Sequence, residues 1–192
     1  MKVGILGGTF DPIHLGHIAA AHACIAALKL DQVLVIPTGV PSHRPAAAAS
    51  AEHRWHMVVA ACQGDTALQP SRIDIDRRTP TYSIDTVRDV RALLPDAQMY
   101  LIIGEDAFAG FESWREPDAL RELVTLVIVE REGVRENTGE PLSSAASAVR
   151  VPLKGYDISA TQIRSRVAAG QSIAGMVAPA VAEYIEQHAL YR

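Results

Sequence analysis

Two histidines three residues apart, His14 and His17, close the run Gly7-Gly8-Thr9-Phe10-Asp11-Pro12-Ile13-His14-Leu15-Gly16-His17, directly after the apolar residues 3–6. An apolar run, a glycine turn and a helix opening near Gly16 predict a strand–turn–helix unit. A helix start carries N–H groups without intrahelical partners and about half a positive charge, so phosphate settles there. Gly7 and Gly8 let the main chain approach a ligand with no side chain in between. Residues three apart on a helix point to nearly the same side. Two imidazoles would then face one phosphate site and could stabilise charge developing on phosphorus. The plainer alternative is a strand–turn–helix link whose histidines lie on the surface.

A second stretch, Asp157-Ile158-Ser159-Ala160-Thr161-Gln162-Ile163-Arg164, has two readings. Ser159 followed by Gln162 is a capping-box pattern, which needs no ligand. Two hydroxyls and a guanidinium one turn into a helix could equally hold a di- or triphosphate tail.

These residues need a scaffold, and the chain alternates strand and helix patterns. Residues 2–6 and 32–37 read as strands, with helices over 16–28 and 51–62 and a long loop over 38–50. Alternating polarity predicts a strand over 72–76. A helix over 82–94, strands over 98–103 and 124–130, and closing helices over 159–169 and 179–188 follow. Residues 133–148 are small and polar and read as a mobile insertion. Such alternation implies an α/β fold with a mostly parallel, doubly wound sheet and helices on both faces. Ligands in such sheets bind beyond the carboxyl ends of the strands. The informative segments 7–17, 37–44, 77–82 and 104–114 all fall at those ends.

Composition narrows the function classes. The 192 residues are 48% hydrophobic and 21% charged, in keeping with one globular domain spanning 1–192. A net charge of −4 argues against a broad nucleic-acid surface. Cys24 and Cys62 sit in apolar helical patterns and suit core packing in a reducing compartment. No leader pattern precedes the first strand, and no apolar run approaches the ~20 residues of a membrane span. A cytoplasmic protein is therefore expected. His53 and His56, three apart on a predicted helix, read as surface or packing residues, as do His22 and His188. The pair Arg77-Arg78 reads as a solvated turn, and Asp85 as support for its helix start.

The glycine-rich run carries the HxGH signature, and the chain resembles the Rossmann-like HxGH nucleotidyltransferases. Further matches are more specific. Ile158-Ser159-Ala160-Thr161-Gln162-Ile163-Arg164 is similar to the ISxTxxR motif of bacterial nicotinate mononucleotide adenylyltransferases. Val40 to Pro45 resembles that family's PPH(K/R) loop, Pro80 to Thr86 its (S/T)YTxDT segment, and Gly104-Glu105-Asp106 with Trp114 its GxD…W segment. The ending Tyr184-Ile185 to Leu190-Tyr191 also fits, so the likeness covers nearly the whole chain.

The resemblance implies adenylyl transfer from ATP to nicotinate mononucleotide, giving nicotinate adenine dinucleotide and pyrophosphate. It implies catalytic roles for His14, His17 and Arg164. ATP would meet Gly7, Gly8, Thr9, Phe10, His17, Gly104, Asp106, Ser159, Thr161 and Arg164. The mononucleotide would meet Thr9, His43, Arg44, Thr81, Tyr82, Trp114 and Arg115. The helices of 159–192 would complete the ATP phosphate site. Mg²⁺ would ride mainly on the ATP phosphates, with no protein metal ligands, no nucleic-acid polymer and no membrane involved; a monomer or small homo-oligomer is expected. Two departures bear on the loop. Ser42 replaces a frequent second proline and loosens the backbone, and Arg44 stands where many members carry Lys. Three alternatives stay open: a sibling enzyme acting on phosphopantetheine or a small alcohol phosphate, a preference for the nicotinamide mononucleotide, and a nucleotide-binding regulator without turnover.

Overall fold

The computed structural model describes residues 1–41, 47–77, 79–131 and 148–192. Six strands form one parallel sheet: β1 (Lys2–Gly8), β2 (Gln32–Pro37), β4 (Leu68–Pro70), β6 (Gln98–Gly104), β7 (Thr125–Arg131) and β8 (Val149–Leu153). They lie in the order β4-β2-β1-β6-β7-β8. The chain thus runs outward from β1 to one edge, returns, and runs outward to the other. This is the doubly wound, Rossmann-like order, whose switch point falls between β1 and β6. A separate parallel pair joins β3 (Val40–Pro41) to β5 (Pro80–Thr81), with Pro41 opposite Thr81.

Both faces of the sheet are covered, so the central strands read as nearly continuous apolar runs. On one face, Leu6, Val33, Val35, Ile102 and Val127 pack with Cys24, Met57, Ile163 and Val181. Those four come from α1 (Leu15–Leu28), α2 (Ala51–Cys62), α7 (Ala160–Ala168) and α8 (Pro179–Gln187). On the other face, Val3, Ile5, Met99, Leu101 and Ile103 meet Ile84, Val87 and Val90 of α4 (Ser83–Leu93) and Leu120 of α6 (Pro117–Leu123). Gly4 makes the middle of β1 possible. A Cβ there would sit 2.8 Å from Val33 and 3.0 Å from Ile102, the side chains that fill its space. No helix among the described residues is long and apolar enough to cross a membrane.

The expected strand over 72–76 is instead a single helical turn, α3 (Ile73–Asp76), and the third strand of the sheet is Leu68–Pro70. Polar partners override the alternating pattern. Asp74 is buried and accepts from Thr86 Oγ1 at 2.8 Å and Arg77 Nη1 at 2.8 Å. Arg72 meets Asp76 at the i,i+4 spacing of a helix. Burial pushes the Asp74 carboxyl above the usual range, although Thr86 and Arg77 oppose the shift. Arg77 is therefore no solvated turn residue, since it bonds Asp74 and Asp89 and is mostly buried; Arg78 lies outside the described residues. The short strands β3 and β5, the helices α5 (Glu105–Ala109) and α6, and the edge strand β8 also escaped the pattern reading. Residues 133–147 of the expected insertion lie outside the described residues.

Candidate active site

The turn after β1 is built around the rings that flank it. Gly8 leaves room for Phe10, whose Cε1 lies 2.8 Å from where a Gly8 Cβ would be. Phe10 holds a left-handed backbone, φ 49°, with its ring buried. Gly7 is different: a Cβ there would meet nothing within 4 Å. The same holds at Gly104, the last residue of β6. Gly7, next to the end of β1, and Gly104, at the end of β6, lie on adjacent strands at the switch point, where the main chain borders an open crevice.

His14 is the N-cap of α1, so the helix begins at Leu15, one residue earlier than the sequence suggests. His17 occupies the third helical position, and the two imidazoles stack with centroids 3.6 Å apart and planes at 24°. The main-chain N–H of His14 donates to His17 Nδ1 at 3.2 Å. Nδ1 therefore carries the lone pair, and the N–H of a neutral ring sits on Nε2, a donor suited to a phosphate oxygen. His14 is buried and His17 partly exposed. Gly16 makes the stack possible, because a Cβ there would lie 3.1 Å from the His14 ring. The helix start is less open to an anion than expected. Leu15 N–H already donates to Met176 O at 2.9 Å, and His17 N–H to His14 O at 2.9 Å. The helix N–H groups are thus partly committed, and His17 is the more exposed of the two rings.

The second predicted phosphate stretch is joined to the first. Ser159 is the N-cap of α7, accepting from Gln162 N–H at 3.2 Å, and both Ser159 and Thr161 are exposed. Arg164 donates to Asp11 O at 2.8 Å and to Thr161 Oγ1 at 3.3 Å. A cation and two hydroxyls from the C-terminal helices thus stand beside the glycine turn, 153 residues away in sequence.

Pairing of β3 with β5 carries Val40-Pro41 to Pro80-Thr81. Tyr82 caps α4, and the Arg115 guanidinium lies 4.9 Å over its ring. Trp114 is half-buried and packs on Phe111 with centroids 5.2 Å apart. Arg115 also lies 3.9 Å from Asp85, which sits in the first turn of α4. Glu116, held by Arg88, adopts φ 53° and turns the chain after Arg115. Asp106 is exposed in the first turn of α5, next to Gly104. His43 and Arg44 lie outside the described residues, as does the Ser42 departure.

Three residues at this site were given no role of their own from the sequence. Asp11 is buried and accepts from Ala48 N–H (2.7 Å), Ala49 N–H (3.0 Å) and the Tyr191 hydroxyl (2.8 Å). Burial, then the Asp11 bond, pushes the Tyr191 phenol well above its ordinary range. Arg54 is 2% exposed and donates to the carbonyls of Thr9, Thr38, Gly39 and Ala49. Burial lowers its pKa while Asp11 opposes the shift. The signal for Arg54 was present: it lies on the same helical stripe as Met57, Val58 and Cys62, where a charge is out of place. His53 and His56 are packing residues. His53 Nδ1 lies 3.0 Å from the Tyr184 hydroxyl, and His56 stacks on the same ring. His22 pairs with Asp65 at 2.8 Å. Among the described residues, no group of three His, Cys, Asp or Glu side chains is arranged to hold a metal ion.

A glycine turn and capping histidine pair at the switch point of a doubly wound sheet mark a nucleotide-handling α/β protein, and the cytidylyltransferase-like family matches residues 5–166. A protein of Streptomyces coelicolor named probable nicotinate-nucleotide adenylyltransferase is 44% identical over 191 residues, covering 97% of this chain and 99% of its own. One of the same name from Thermus thermophilus is 41% identical over 194 residues, covering both chains completely. The fold is also that of Plasmodium falciparum nicotinic acid mononucleotide adenylyltransferase complexed with NaAD, at TM-score 0.77 and 19% identity, covering 99% of this chain and 97% of that one. The chain belongs to the nicotinate-nucleotide adenylyltransferases, and it is a nucleotidyltransferase.

Proposed function

We propose that the crevice at the ends of β1 and β6 binds ATP and nicotinate mononucleotide and transfers the adenylyl group between them. An oxygen of the mononucleotide 5′-phosphate attacks the α-phosphorus of ATP in line. The bond to the bridging oxygen breaks, pyrophosphate leaves, and nicotinate adenine dinucleotide forms. This reading needs no covalent enzyme intermediate, so the protein's part is positioning and charge stabilisation.

The family resemblance, together with the positions of the described residues, supports the following roles. Gly7, Gly8, Thr9 and Phe10 line the phosphates, and the open space over Gly7 and Gly104 leaves room for the nucleotide. His17 donates from Nε2 to an α-phosphate oxygen, and His14 holds the His17 ring. Gly104 and Asp106 take the adenylate ribose. Ser159, Thr161 and Arg164 bind the β- and γ-phosphates, so that the helices of 159–192 complete the ATP site within one domain. Thr81, Tyr82, Trp114 and Arg115 form the pyridine pocket, and the family resemblance alone assigns His43 and Arg44 to the mononucleotide. Mg²⁺, bound mainly by phosphate oxygens and water, supplies further charge neutralisation. The protein acts in the cytoplasm as a monomer or small homo-oligomer.

The observation that carries the proposal is His17 at the third position of α1 with Nδ1 fixed by the His14 N–H. Replacing His17 by Ala removes the donor and should lower kcat by about 10²-fold or more, with the fold retained. Steady-state rates and a circular dichroism spectrum check this. A folded His17→Ala with full activity would remove His17 from the mechanism.

A further inference from the structure

A left-handed backbone at a residue as large as Phe10 is unfavourable and persists only where its surroundings over-determine it. Both neighbours of Phe10 are gripped. On one side the Thr9 carbonyl accepts from Arg54 Nη1 at 2.8 Å. The same guanidinium reaches Thr38 O (2.6 Å), Gly39 O (3.1 Å) and Ala49 O (3.3 Å), tying the end of β1 to the end of β2. On the other side the Asp11 carboxylate accepts from Tyr191 and from two main-chain N–H groups. Between these grips the Phe10 ring fills the space over Gly8 and meets His17 edge-on, with centroids 4.9 Å apart and planes at 82°.

An apolar residue at position 54 would leave the carbonyls of Thr9, Thr38, Gly39 and Ala49 without this donor, so Arg54 also contributes to stability. Its fan of donors suits it to fix the directions of several carbonyls at once, which a single ammonium does not do.

We propose that Arg54 and Tyr191 are positioning residues for the adenylyl transfer, holding Phe10 in its left-handed turn and, through the Phe10 ring, fixing the His17 imidazole. The inference rests on the reaction proposed above. Arg54 acts from beneath the glycine turn, and Tyr191 brings the C-terminus of the chain to its other side.

Arg54→Lys keeps the charge and loses the fan, Arg54→Met loses both, and Tyr191→Phe removes one hydroxyl from an otherwise unchanged ring. Each is assayed beside the wild type with ATP, Mg²⁺ and nicotinate mononucleotide, with folding checked by circular dichroism and thermal unfolding. Arg54→Lys should lower kcat about a hundredfold, the scale of a misplaced reacting group. Tyr191→Phe should lower it about tenfold, and KM for either substrate should move less than about threefold. In a His17→Ala background both substitutions should cost little more, because the group they position is gone. Three results would each overturn the proposal: folded variants with wild-type kcat, losses carried by KM alone, or losses that multiply in full with His17→Ala. Full activity in Arg54→Lys beside loss in Arg54→Met would mean that charge, and not the brace, is what matters. If Arg54→Lys does not fold, Tyr191→Phe decides by the same criteria. An inactive wild type would refute the reaction itself, and the inference with it, an outcome distinct from an active wild type whose variants are unaffected.

Discussion

Four glycines of the site differ in what they make room for, and the difference is testable. Gly8 and Gly16 are filled by the protein's own rings, Phe10 at 2.8 Å and His14 at 3.1 Å from the missing Cβ atoms. Gly7 and Gly104 are filled by nothing within 4 Å. Gly7→Ala and Gly104→Ala should therefore leave stability within about 0.5 kcal/mol of the wild type. They should raise KM for ATP about tenfold, about 1.4 kcal/mol of binding. Gly16→Ala should instead displace the His14 ring and lower kcat. Urea unfolding and steady-state kinetics on the three variants separate these cases. A loss of stability in Gly7→Ala with KM unchanged would mean that its open space serves no ligand. His14, His17 and Arg164 stand out in the sequence by their types and spacing, and the structure brings Arg164 to the turn that precedes the histidines. Arg54 is a charge on the apolar stripe of α2, but a local pattern does not show which carbonyls it meets. Asp11 and Tyr191 carry no sequence signal that joins them, since 180 residues separate the pair.

Long, strongly periodic elements were legible to within a residue or two: β2 and α2 match their expected bounds, and α1, α4, α7 and α8 differ only at their ends. The short ones were not. In α3, polar contacts to residues far along the chain decide the conformation, and local alternation reports only that one side is buried. The edge strand β8 alternates Val149, Val151 and Leu153 toward the core, but it is only five residues long and adjoins the small polar stretch 133–148, so the pattern was missed. The packing of α3 explains a further glycine. A Cβ on Gly39 would lie 2.1 Å from Asp74 O, a main-chain atom that cannot rotate away. Gly39→Ala should thus destabilise the fold by about 1–3 kcal/mol, as overpacking does. A shifted urea midpoint at constant slope would show it, and an unshifted midpoint would mean that α3 moves freely off the loop. The same substitution should lower activity as well, since Gly39 O is one of the four carbonyls on Arg54.

Across the whole molecule, residues far apart in sequence converge on one end of the sheet. The turn after β1, the β3–β5 pair, the end of β6 and the start of α7 all meet there, and Tyr191 closes the circuit from the last residues of the chain. Strand–helix alternation made the doubly wound class legible, and the strand ends located the crevice. The bonds from α7 and Tyr191 to the first turn are tertiary, and no local pattern reports them. The proposed reaction joins ATP, in this crevice, to a pyridine mononucleotide bearing a carboxylate. Pyrophosphate release from ATP and Mg²⁺, run in parallel with nicotinate mononucleotide, nicotinamide mononucleotide and phosphopantetheine, tests it most directly. We expect turnover with the nicotinate substrate and at least a ten-fold preference over the amide, ~1.4 kcal/mol. Turnover of phosphopantetheine alone, or of none of the three, would contradict the account.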